Sequence, residues 1–147
     1  MLQRILLVEP NAELRQAFAA IMATGATVQA CADFPAARRA LSSGGTYDLI
    51  VTNLRLGPFN GLHLVYLARA RLIRSLVYEG QSDLFLAREA QSAGAFYETV
   101  ERLPLVLLNY VMLELPPVDR RDPVQPDRRA MRRGGRRAAD LAQLQAI

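Results

Sequence analysis

The chain contains no lysine, one cysteine and one histidine in 147 residues. A lone Cys31 rules out an internal disulfide and any multi-cysteine zinc site. With only His63 beside it, a Cys/His metal cluster cannot form, and a Ser-His-Asp triad would have a single candidate base. No stretch approaches the ~18 uncharged apolar residues that a membrane span requires. The N-terminal run Ile5-Leu6-Leu7-Val8 is too short for a signal core and ends in Glu9. A cytoplasmic chain without membrane contact is the expectation. All 18 basic residues are arginine, so chemistry that needs a lysine has nothing to supply it.

What remains is an ordinary globular balance, with 51% hydrophobic and 22% charged residues. A single domain of this size buries roughly two-thirds of its unfolded surface and needs no staple. The net charge of +4 is unevenly placed. Residues 1–114 hold ten arginines and ten acids, whereas residues 115–147 hold eight arginines against four aspartates. The entire excess therefore lies in the C-terminal segment.

Short apolar runs at Arg4–Val8, Thr27–Ala30, Asp48–Asn53, Ser75–Tyr78 and Ala95–Val100 read as strands, the first and third apolar on both faces. Between them lie helical patterns. The first is capped by Asn11 and stops at Gly25, and the second is capped by Asp33 with Pro35 in its first turn. A third carries Leu62, Val65, Tyr66 and Leu67, and a fourth covers Asp83–Ala93. The last opens at Pro104 and ends near Leu115. Gly57-Pro58 and Asn60-Gly61 mark a loop. Strict alternation of five strands and five helices predicts an α/β, doubly wound parallel sheet with helices on both faces. The functional edge of such a sheet is the carboxyl ends of its strands, which here carry Glu9, Asn53, Glu79 and Glu101.

Four stretches then stand in a telling order: Ile5-Leu6-Leu7-Val8-Glu9, Tyr47-Asp48-Leu49-Ile50-Val51-Thr52-Asn53-Leu54-Arg55-Leu56, Asn60-Gly61-Leu62 and Ala93-Gly94-Ala95. Over residues 3–114 the chain resembles the receiver domain of two-component response regulators. The resemblance implies a flavodoxin-like fold, strand order 2-1-3-4-5, and a pocket that phosphorylates an aspartate with the help of Mg²⁺, a hydroxyl and a lysine. At each of those positions this sequence departs from the pattern. Asn53 stands for the nucleophile, and Glu9-Pro10 for the acidic pair. Glu79 falls at the hydroxyl, Glu101 at the lysine and Arg102 at the proline after it. The family's aromatic switch position falls on Glu98, with Tyr97 directed to the opposite face, so its usual coupling to a hydroxyl is not expected. A pocket meant for a dianion thus holds acids, which repel phosphate. The resemblance is to a degenerate pseudo-receiver with no cofactor and no metal.

His63 reads as a helix-surface histidine and Cys31 as an inert thiol. The last helix is apolar almost all round, which a helix covering one sheet does not need. Leu105, Leu108, Met112 and Leu115 form one stripe, and Val106, Tyr110 and Leu113 another. Leu105, Leu108, Tyr110, Met112 and Leu113 are the candidate face for a protein partner or a homodimer. Residues 1–115 form the domain. Residues 116–147 are expected to be a Pro/Arg-rich tail, disordered or a short docking segment. Its Arg128, Arg129, Arg132, Arg133, Arg136 and Arg137 are candidates for binding anions or, nonspecifically, nucleic acid. The leading expectation is a non-enzymatic, phosphorylation-independent module of bacterial phosphorelay-type signalling. The alternative is a nucleic-acid or anion-binding adaptor that uses the arginine arm.

Overall fold

A computed structural model describes residues 2–81 and 83–122. The apolar runs become parallel strands β1 (Gln3–Val8), β2 (Ala26–Cys31), β3 (Leu49–Asn53), β6 (Arg74–Glu79) and β7 (Phe96–Thr99). Their order is β2-β1-β3-β6-β7, the expected 2-1-3-4-5 once two short strands are set aside. The helices are α1 (Ala12–Ala23), α2 (Phe34–Ser42), α3 (Leu62–Ala70), α4 (Leu84–Ser92) and α5 (Leu103–Met112). Side chains of Asn11, Asp33 and Asp83 accept from backbone N–H groups at the starts of α1, α2 and α4, satisfying donors that have no partner inside the helix.

Alternation along the strands divides the core between the two faces. Ile5, Leu7, Val51 and Leu76 pack against Phe18 and Met22 of α1 and Leu103 and Leu107 of α5. On the other face Leu6, Val8 and Ile50 meet α2 and α3, and Val77 meets Ala87 and Ala90 of α4. Each buried leucine or phenylalanine contributes roughly 1.5–3 kcal/mol, so these two layers fix the register and with it the carboxyl edge.

Three local features differ from the sequence expectation. The loop after β3 is a small hairpin, β4 (Arg55–Leu56) with β5 (Phe59–Asn60). Gly57 takes φ +66° at its turn, followed by the fixed φ of Pro58, which suits a two-residue hairpin loop. Helix α5 stops at Met112, and Leu113 is already extended at φ −103° and ψ 152°. Pro116 and Pro117 lack the N–H groups that would bond back to Met112 and Leu113, so the last turn cannot continue to Leu115.

The third difference lies past α5. Residues 116–121 run along the outer edge of β7 instead of leaving the domain. The Arg74 guanidinium donates to the Pro116 carbonyl, the Tyr97 N–H donates to the Asp119 carboxylate at 3.1 Å, and Arg121 donates to the Tyr97 carbonyl at 2.8 Å. Among the described residues no helix is long and apolar enough to cross a membrane.

Candidate functional site

The sheet register sets the geometry of the carboxyl edge. Val8 pairs with Thr52 and Asn53 with Tyr78, so Glu9, Asn53 and Tyr78 form one row across three strands. Glu9 is buried at 1% exposure. Its Oε1 accepts from the Tyr78 hydroxyl at 2.8 Å and from the Asn53 amide at 3.1 Å. Its Oε2 accepts from the Asn11 N–H at 2.8 Å. Asn53 is engaged at both ends, because its Oδ1 accepts from the Arg55 N–H at 2.9 Å. Burial, reinforced by the charge of Glu9 and the bond to it, pushes the Tyr78 phenol well above its ordinary range. Tyr78 is therefore a permanent donor here.

These residues do not fit a divalent cation. Mg²⁺ requires hard oxygens in near-octahedral array. Pro10 offers no side-chain oxygen, and the amide nitrogen of Asn53 is the atom turned towards Glu9. Among the described residues no group of three or more His, Cys, Asp or Glu could hold a metal.

Glu79 lies at the end of β6, also buried at 1%. Its Oε1 accepts from the Asp83 N–H at 2.7 Å and from the Tyr97 hydroxyl at 3.2 Å. Among the described residues Oε2 has no hydrogen-bond partner, and the nearest cation is the half-exposed Arg55 guanidinium at 4.0 Å. Burial raises the Glu79 carboxyl above the usual range, and the Asp83 N–H, Tyr97 and Arg55 only partly offset it. Burial and then the charge of Glu79 raise the Tyr97 phenol in turn.

This corrects the expectation for β7. Tyr97 and Glu98 do face opposite ways, but Tyr97 reaches the strand-end residue Glu79, so an aromatic is coupled to this position after all. Tyr97 pairs in register with Val77, which shares a face with Glu79, and the phenol spans the two-residue offset. Glu101 is exposed, so it stands at the rim and does not join Glu79 inside. Arg102 pairs at 3.2 Å with Glu98 and with neither pocket acid.

Glu98 belongs to a separate cluster on the α5 side. Its Oε2 accepts from Tyr110 at 2.6 Å and from Arg121 at 2.7 Å. Arg121 also bonds to Asp119 and to the Tyr110 hydroxyl. Burial alone would raise the Asp119 carboxyl, but the bonds and charge of Arg121 outweigh it and hold the group below the usual range.

Tyr110 must accordingly be removed from the candidate contact face. Its ring is buried edge-on against Phe96 and its hydroxyl is committed to Glu98. Leu115 is half-buried against the core and leaves the outer stripe. Leu105, Leu108, Met112 and Leu113 remain exposed, Leu105 at 81%. His63 is exposed at the start of α3, its ring edge-on to Phe34. Cys31 is buried, and burial, with Asp33, raises its thiol. Arg128, Arg129, Arg132, Arg133, Arg136 and Arg137 lie outside the described residues.

Tyr78, Arg55 and the Asp119/Arg121 pair were not singled out from the sequence. Tyr78 immediately precedes Glu79, and counting the register outward from Glu9 would have placed it in the same row. No comparable signal marks Asp119 and Arg121, because their partners lie more than twenty residues away on β7.

No protein-family model matches the sequence, and neither does any curated protein. Solved structures do match. A CheY-like response regulator receiver domain protein from Methanospirillum hungatei JF-1 superposes with TM-score 0.69 at 20% identity, over 76% of this chain and 91% of that one. A two-component response regulator of the LuxR family from Aurantimonas sp. SI85-9A1 gives 0.66 at 26% identity, over 74% and 81%. The chemotaxis response regulator CheY4 of Vibrio cholerae gives 0.61 at 19%, over 76% and 100%. The chain has the fold of the response regulator receiver domains.

Proposed function

We propose that this protein is a non-enzymatic, cytoplasmic receiver-like module of bacterial two-component or phosphorelay-type signalling that acts by protein–protein contact without being phosphorylated. The observation that supports this reading is Asn53. It is an amide at the nucleophile position, with its nitrogen given to Glu9 and its oxygen to the Arg55 N–H. An amide cannot form an acyl phosphate. Phosphoryl transfer depends on positioning and on neutralising charge. Here a buried carboxyl, Glu79, takes the hydroxyl's place, and there is no lysine in the chain.

The contact surface in this reading is the outer face of α5, where Leu105, Leu108, Met112 and Leu113 are exposed. Its partner is another protein or a second copy. The full chain, treated with acetyl phosphate or beryllofluoride in the presence of Mg²⁺, should keep its mass and its amide spectrum. A stoichiometric phosphoryl adduct, or spectral shifts that saturate with beryllofluoride, would overturn the reading.

A further inference from the structure

The segment after α5 shows what the outer edge of β7 recognises. It starts at Pro116 beside Arg74, at the beginning of β6. Val118 lies in a cleft with Ser92, Ala93 and Gly94, just ahead of β7. Asp119 then accepts from the Tyr97 N–H, Arg121 reaches Glu98 and the Tyr97 carbonyl, and the Gln91 amide donates to the Arg121 carbonyl. The chain thus runs in the same direction as β7, where a sixth parallel strand would lie, and side chains replace the backbone ladder. Asp119 and Arg121 are two residues apart, so both point to one side of an extended segment, while Arg120 points away and is exposed.

The receiving groups all belong to the domain. They are the N–H and carbonyl of Tyr97, the carboxylate of Glu98, whose side chain is 3% exposed, and the hydroxyl of Tyr110. The strap itself buries only Asp119, and Pro116, Pro117, Val118 and Arg120 stay exposed. It is therefore held by polar contacts and little apolar area. The hinge that delivers it, residues 113–115, leaves α5 at the exposed Leu113 and ends on Leu115, which is half-buried against the core.

We propose that the β7 edge is a docking site for an extended Asp-x-Arg segment, and that its partner in trans is the strap of a second copy of this chain, so that two copies associate by exchanging residues 116–122. Every strap contact is reproduced when the strap crosses to a neighbour, which makes exchange an inexpensive route to a dimer. The exchange also brings the hinges together, and with them the apolar ends of the two α5 stripes at Met112 and Leu113. This deepens the homodimer reading given above by naming the residues that cross.

The test mixes two full-length variants. Glu98→Gln keeps the strap and spoils its socket, and Arg121→Ala keeps the socket and spoils the strap. If straps exchange, native mass spectrometry of the mixture shows heterodimer in excess of the statistical mixture, because only the heterodimer contains an intact Arg121–Glu98 contact. A statistical mixture of dimers leaves the α5 contact standing and overturns the exchange. Monomers alone overturn both. A second measurement does not depend on how well the charge variants fold. Cysteines placed by Ser92→Cys and Val118→Cys, which share one cleft, are oxidised across a concentration series. Exchange gives a covalent dimer that grows with concentration and is absent from either single variant. Cross-linked monomer alone, at every concentration, overturns it.

Discussion

The phenol of Tyr97 donates to Oε1 of Glu79 at 3.2 Å, while among the described residues Oε2 of the same carboxylate has no hydrogen-bond partner and pairs with Arg55 at 4.0 Å. An acid held this way, above its ordinary value of about 4.5, binds its proton more tightly folded than unfolded. Its contribution to stability is complete below the ordinary glutamate range and is lost as pH rises through the folded value.

Glu79→Gln should therefore stabilise the protein at neutral pH and flatten the fall in melting temperature as pH rises above the ordinary glutamate range. Thermal denaturation across that rise in pH checks it. An unchanged slope would show that Arg55 already neutralises the carboxylate. Tyr97→Phe should steepen the same fall, because Glu79 loses a donor and its charged form becomes costlier still.

Asn53→Asp tests the other half of the pocket. It replaces the amide that donates to Glu9 at 3.1 Å with a second carboxylate. Loss of the donor and like-charge repulsion should cost about 1–3 kcal/mol at pH 7. The loss should shrink as pH falls and one of the two acids takes a proton. Reactivity with acetyl phosphate should stay absent, because Pro10, Glu79 and Glu101 are unchanged. Calorimetry at pH 5 and 7, with intact-mass analysis, reads both outcomes.

How far the sequence revealed this arrangement depended on the range of the interactions. The five strands follow from local apolar runs and their order from the receiver resemblance, and Asn11 and Asp33 announce their helices because a cap acts within four residues. Glu9, Asn53 and Glu79 were legible as strand-end residues for the same reason. What joins them was not. The Tyr78–Glu9 bond depends on how β6, β3 and β1 are registered, a tertiary fact. Helical spacing gives Tyr110 its stripe but not which stripe meets the sheet, so its burial was not legible. The strap was hidden by its composition, since Pro116-Pro117 and a run of arginines read as linker until Glu98 supplies a buried counter-charge.

Arg121→Ala should lower the stability of the domain. Its side chain is 38% exposed, so its pairs with Glu98 and Asp119 are partly screened by solvent. A loss of about 1–2 kcal/mol is expected, with Arg102 left to partner Glu98. The sign for Asp119 is opposite to that for Glu79. Its carboxyl is lowered by Arg121, so the stability it brings is present above the ordinary aspartate range and lost as pH falls. Hydrogen exchange should show the Tyr97 amide losing protection in the variant while the amides of β1 and β3 keep theirs.

The final prediction separates the two sides of α5. Leu103 and Leu107 are fully buried, and Leu105 and Met112 are 81% and 65% exposed. A charge at Leu107 must be buried in the layer formed with Phe18 and Met22, so Leu107→Glu should unfold the domain or lower its melting temperature severely. Leu105→Glu and Met112→Glu place the charge in water and should leave the melting temperature of the monomer nearly unchanged. Their effect belongs to association. Each exposed leucine or methionine covered by a partner contributes roughly 1.5–3 kcal/mol, and association costs at least about 4 kcal/mol in lost freedom. In a symmetric dimer each stripe residue is buried on both copies, so one substitution places two charges in the interface and should be enough to undo it. Sedimentation at tens of micromolar is the measurement. The wild-type chain should show a concentration-dependent dimer that Leu105→Glu and Met112→Glu each convert to monomer, and a wild-type monomer throughout would leave α5 without a homodimer role.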